Sequence, residues 1–168
     1  DITGTATEVT AALVTADTLV VAGTATVTIS DNPSITDLNA IAAKTSGVVT
    51  ATLAADSLSN LGALTTAGTD AITITVSDTG GTPVTAANLS TLGGKTAGTV
   101  TVSNAVTITG NHDQVTAALV TDDTKVVAST AVVTVNDDAG ERLTAYDLSL
   151  IGGKTSGQVT VSNAVNIR

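Results

Sequence analysis

Apolar and polar positions along this chain alternate between two periods, and the change from one to the other recurs throughout. From Ala25 to Ser30 the pattern is strict alternation, with Ala25, Val27 and Ile29 on one side and Thr26, Thr28 and Ser30 on the other. Period two is the signature of a half-buried strand. From Ile35 the apolar positions become Ile35, Leu38 and Ile41, which share one face of a helix. The same alternation of periods predicts helical faces at Val9/Ala12/Leu13, Leu58/Leu61/Leu64, Ala86/Leu89/Leu92, Val115/Ala118/Leu119 and Ala145/Leu148/Ile151. It predicts strands at 48–53, 71–77, 99–103, 131–136 and 158–162. These helices are too short to persist alone in water, so their apolar faces must be buried against the strands.

The order is a written repeat. Gly93–Val106, GGKTAGTVTVSNAV, returns at Gly152–Val165 as GGKTSGQVTVSNAV, with a weaker copy, AAKTSGVVTATL, at Ala42–Leu53. Aligned on Ile2, Leu53, Ile108 and Ile167, the periods are 53−2=51, 108−53=55 and 167−108=59 residues. Three double repeats follow, 2–52, 53–107 and 108–166, each of two helix–strand coils. The lengths differ by steps of four, and an even insertion keeps the inside/outside parity of a strand. Period and content predict an α/β fold: a right-handed α/β solenoid of about six coils with one parallel sheet. Its six rungs would span roughly 29 Å at the usual strand spacing.

Within the second half of each repeat the motif Lys-Thr-x-Gly sits between helix and strand. Lys44, Lys95 and Lys154 are expected near the helix C-terminus, where a cation meets the dipole favourably. Gly47, Gly98 and Gly157 are expected to supply the reversal into the strand. The lysines should pair with the acids Asp17, Asp70 and Asp122 or Asp123 at the equivalent helix exits of the intervening coils. Gly-Gly-Lys-Thr is not a phosphate loop. That motif needs a glycine where Leu89 and Leu148 stand, and a strand before and a helix after it; here the order is reversed.

Composition changes the picture in one respect. The only aromatic is Tyr146, and Cys, Met, Phe and Trp are absent. A thin solenoid core can be filled by Val, Ile, Leu and Ala alone, whereas a thick globular core usually relies on aromatic bulk. Net charge is −9 and the six basic residues form no patch, which argues against nucleic-acid binding. No apolar run is long enough to cross a membrane, so no membrane insertion is expected. The absent initiator Met and the in-phase ends suggest a piece of a longer array.

Three features could carry a ligand. Asp31, Asp78 and Asp137 close alternate strands, and Asp137, Asp138 and Glu141 crowd one turn. Such oxygens suit Ca²⁺, although neither an EF-hand nor a glycine-aspartate roll is present; a cap-and-turn role needs no metal. The outward threonines Thr28, Thr52, Thr75, Thr101, Thr134 and Thr160 are expected to form one exposed ladder. Flat Thr arrays of this type occur in ice-binding solenoids, but threonine is also simply well suited to an exposed strand. His112, in a turn between Asn111 and Asp113, has no nucleophile beside it, and no catalytic constellation recurs. No cofactor is expected, and no enzyme activity.

With SDTGGTPVTAANLSTLGGKTAGTVTVSNAVTITGNHDQVTAALV (77–120) in view, the chain resembles the tandem repeats of very large surface or secreted proteins of bacteria, especially marine cyanobacteria. The shared pattern is D-L-N-x-L/I-x-x-K-T-x-G-x-V, seen at 37–48, 88–100 and 147–159. The resemblance implies an extracellular, extended array whose partners are its own adjacent repeats, and a structural rather than catalytic role. The alternative is a binding module for ice, calcium or a surface glycan. Uncapped ends of such an array should also meet end to end in separate chains.

Overall fold

The computed structural model describes residues 1–15 and 17–168 and shows an α/β protein with parallel sheets and, among the described residues, six α-helices. In chain order the elements are β1 Ile2–Gly4, α1 Ala6–Leu13, β2 Val27–Ile29, α2 Ile35–Ala42, β3 Val49–Thr52 and α3 Leu58–Leu61. They continue with β4 Ala71–Val76, β5 Pro83–Thr85, α4 Ala86–Gly93, β6 Val100–Val102, β7 Thr107–Gly110 and α5 His112–Leu119. A 3₁₀ turn, Asp122–Thr124, then leads to β8 Val126–Val127, β9 Val132–Val135, β10 Arg142–Leu143, α6 Ala145–Gly152, β11 Val159–Val161 and β12 Asn166–Ile167. The strands anticipated from alternation are all present within two residues of their expected ends.

Every described strand pair is parallel, with partners from 21 residues apart (Thr50↔Ala71) to 26 apart (Ile74↔Val100). Successive helices pack likewise, α1 on α2, α3 on α4, α4 on α5 and α5 on α6. Helix faces and strand faces meet in one core. Leu38, Ile41, Leu61, Leu64, Leu89, Ile151, Val27, Ile72, Ile74, Val100 and Val133 have no solvent exposure. Each such aliphatic side chain contributes roughly 1.5–3 kcal/mol on burial. Tyr146 contributes little to this core, being 70% exposed.

The strands do not form one sheet of six rungs. A six-stranded sheet runs β1-β2-β3-β4-β6-β8, a second runs β11-β9-β7-β5, and β10 pairs with β12. The four-residue insertions explain the difference. In 99–108 the chain turns a corner at Ser103–Val106 and adds β7; in 122–135 it turns at Ala128–Ala131, adding β8 ahead of β9. β8 then stacks on β6, and β9 stacks on β7. The insertions thus build a second strand in these layers, and the fifth and sixth expected rungs, β9 and β11, lie in the second sheet.

Each helix begins on a side-chain cap: Thr5, Ser34, Ser57, Thr85, Asn111 and Thr144 accept from the amide three residues on. Thr5/Glu8 and Asn111/Gln114 complete capping boxes.

Candidate functional site

The residues that recur most faithfully come together where one layer meets the next. Thr45 donates from Oγ1 to the Ala25 carbonyl at 2.6 Å and accepts from the Gly47 amide at 2.9 Å. Thr155 repeats this with the Ala131 carbonyl at 2.5 Å and the Gly157 amide at 3.0 Å. Thr96, fully enclosed, lies between the Asp70 and Ile72 carbonyls at 2.9 and 2.7 Å and accepts from the Ile72 and Gly98 amides, both at 2.8 Å. The next residue's amide adds a backbone bond to the same neighbouring layer: Ser46 to Gly23, Ala97 to Asp70 and Ser156 to Ser129.

The glycines of the motif serve a different purpose from the one expected. Among the described residues positive φ occurs at Gly81 (80°), Gly140 (89°) and Lys125 (52°), not at Gly47, Gly98 or Gly157. These three are glycine because a Cβ would collide with the backbone of the preceding layer, at Ala25, Ile72 and Ala131 respectively. The close approach that lets threonine reach its carbonyl leaves no room for a side chain two residues on.

The lysine–aspartate pairing is not found. Lys44, Lys95 and Lys154 share one place, just past the helix, where their amides donate to Ile41, Leu92 and Ile151. Among the described residues, however, the ion pairs within 4.0 Å all involve His112 and none a lysine. Lys95 Nζ donates instead to the Gly62 carbonyl at 2.8 Å, the C-cap of α3. Asp70 is turned inward and buried, its carboxylate accepting from the Val49 and Ala67 amides at 2.8 and 3.0 Å. A buried carboxylate needs such donors, and amides of the tightly packed layers supply them where a long ammonium side chain has no access. Asp17, Asp122 and Asp123 stay exposed.

At the other end of the helices, three of the calcium candidates are engaged by backbone. Asp31 accepts from the Ala6 amide at 2.7 Å, Asp78 from Leu58 at 2.7 Å and Asp137 from His112 at 2.8 Å. Each lies some 20 to 25 residues beyond the helix that it caps, so it ties one layer to another while offsetting the positive helix terminus. Asp138 and Glu141 remain exposed in the turn around Gly140. Among the described residues no three His, Cys, Asp or Glu side chains are grouped to hold a metal ion. Asn39, Asn104 and Asn163 make further bonds to the backbone of adjoining layers.

At the α5 entry the side chain of His112 joins the cap. Its Nδ1 lies 2.5 Å from Asp137 Oδ1 and its Nε2 lies 3.2 Å from Asp113 Oδ1. Asp137 holds the imidazole pKa above its ordinary value, chiefly by hydrogen bonding; partial burial opposes this and the charges of Asp137, Asp113 and Asp147 support it. The pair borders an open, polar cleft of about 370 Å³ that Asn111, Gln114 and Glu141 also line.

The expected threonine ladder is divided. Thr28 stands beside Thr50, Thr52 beside Thr73, and Thr75 beside Thr101 in the first sheet. Thr134 stands between Thr109 and Thr160 in the second. Thr75, Thr101 and Thr134 are half-buried; Thr28, Thr52 and Thr160 are exposed. The corners that create the second sheet break the row.

The inter-layer role of Thr45, Thr96 and Thr155 was missed from sequence, although the signal was visible: threonine follows lysine in all three copies. Asn39 carries no such repetition, Ser90 and Ser149 standing at its place, and the acids that repeat Asp70 stay exposed.

The chain matches no protein family, no curated protein and no solved structure. Among the described residues no helix is long and apolar enough to cross a membrane.

Proposed function

We propose that the chain is a right-handed α/β solenoid segment, six coils in three double repeats, acting as a structural spacer or surface coat of a large exported bacterial protein without catalysis. The observation that carries this reading is the Lys-Thr-x-Gly junction. Its threonine hydroxyl, glycine and following amide are spent three times over on joining one layer to the next. Asp31, Asp78 and Asp137, which could have served a metal, are likewise engaged by amides of neighbouring layers. The resemblance to bacterial surface repeats supports a place outside the cell.

A chain with residues 108–166 repeated once more after Asn166 tests the reading. It has 168+59=227 residues and keeps the register, because Ile167 and Ile108 begin the same unit. Small-angle scattering should show a particle longer by about 10 Å, two strand spacings, at unchanged cross-section. Growth in thickness instead of length overturns it. On the same reading Ca²⁺ leaves the thermal midpoint of the natural chain unchanged.

A further inference from the structure

The stretch Ile2–Asp31 is the stretch Ile108–Asp137 at the same length, every position displaced by 108−2=106 residues. What covers them differs. In the later stretch Val126 and Val127 pair with Val100 and Thr101 of the preceding layer. Their counterparts Val20 and Val21 belong to no described strand, and Leu19, Val20 and Val21 are 97%, 51% and 95% exposed. The opposite face shows the complementary contrast. Val100, Val102 and Val106 are essentially buried where later strands cover them, while their counterparts Val159, Val161 and Val165 are only half-buried. Ile108 is fully buried, yet its counterpart Ile167 is 57% exposed.

We propose that these two faces bind one another between two copies of this chain, head to tail, in the register of the internal junction. Transposing Val126↔Val100 and Val127↔Thr101 places Val20 of one copy on Val159 of the other, and Val21 on Thr160. The inference rests on the stacking reading above and specifies its contact. The occupant is a second copy because the chain already contains this interface once, built from nearly the same residues. Like net charge opposes the contact only within the screening length, about 8 Å at physiological salt.

The junction also has a built-in competition. Inside the chain one strand, β7, pairs with β5 on one side and β9 on the other. Between copies, β12 of the first and β1 of the second correspond to that same strand, and only one fits. One short end must therefore leave its ladder, which makes the contact weaker than its internal counterpart.

Sedimentation equilibrium of the full chain tests this. The expected result is association with Kd of about 0.1–1 mM, running past the dimer because a head-to-tail contact need not close. Val21→Asp, at a position 95% exposed, should weaken association at least ~10-fold, or about 1.4 kcal/mol. Leu19→Lys should leave it intact, since Lys125 stands there in the internal junction. Val161→Asp should act on the other face, and an equimolar mixture with Val21→Asp should stop at dimers. A strict monomer at about 1 mM, or Val21→Asp associating like the natural chain, overturns the proposal. If the 227-residue chain lengthens as expected while the natural chain stays monomeric, only this contact falls and the stacking reading stands.

Discussion

The two ends of the helical layer are tied to their neighbours by different chemistry. At the Lys-Thr-x-Gly exits the ties are neutral and close, a threonine hydroxyl against a carbonyl with a glycine making the space. At the entries of α1, α3 and α5 they are charged, an aspartate reaching from a later layer to an N-terminal amide. A close neutral tie is specified by shape, so it tolerates almost no added volume. A charged cap is specified by electrostatics and one hydrogen bond, so it accepts different neighbours, including alanine (Ala6), leucine (Leu58) and histidine (His112) at the capped position.

The sharpest way to break this contrast is to add a methyl group at an exit. Gly98→Ala should destabilise by about 3 kcal/mol, because the new carbon meets the backbone of Ile72. Gly152→Ala, where nothing lies within 4 Å, should instead stabilise by about 0.5 kcal/mol through the unfolded chain. Urea unfolding of the two variants checks both, and equal effects would remove the steric account. Next in size, Thr96→Val should cost about 2 kcal/mol, since it leaves the enclosed Ile72 and Gly98 amides without an acceptor. Thr45→Val, which strands fewer groups, should cost about 1 kcal/mol in the same assay.

The entries should respond more mildly. Asp78→Ala should lower stability by about 1 kcal/mol, the usual loss of a helix cap. A cost as large as that of Gly98→Ala would erase the distinction between the ends. The smallest effect is the pH dependence of the His112 entry. Its folded pKa is raised above the ordinary 6.5, so the folded state binds the proton more tightly than the unfolded one. That stabilisation is fully present below the unfolded value and disappears as pH rises through the folded value. The gap in thermal midpoint between the natural chain and His112→Ala should therefore be wider near pH 5.5 than near pH 9. A gap that is constant, or that widens with pH, defeats the assignment.

The fold was legible where periodicity alone decides. Leu38/Ile41, Leu58/Leu61 and Leu89/Leu92 are buried on the helices as their spacing requires, Leu64 is buried just past the single turn of α3, and Val27/Ile29 alternate inward on their strand. Register between layers was less legible, because Val-rich strands separated by a four-residue insertion can either lengthen or turn. Only the pairing of Val126 with Val100, and of Val132 with Thr107, shows that they turn. The junction chemistry was half legible. The motif marks the place by repetition, but charge drew attention to its lysine while its chemistry lies in the threonine. The spacing marks Asp70 as a partner for a lysine; its burial depends on three-dimensional proximity to the Val49 amide, 21 residues earlier.

A core made only of aliphatic side chains has an optical consequence. Tyr146 is the sole aromatic chromophore, and it stands largely in solvent on the last helix. Its near-ultraviolet and fluorescence signals are thus insensitive to most of the packing, and their response is confined to the final layer. Melting followed through this tyrosine should report fraying at that end, and far-ultraviolet dichroism should report the remainder. Divergence of the two traces would measure how independently the last layer opens.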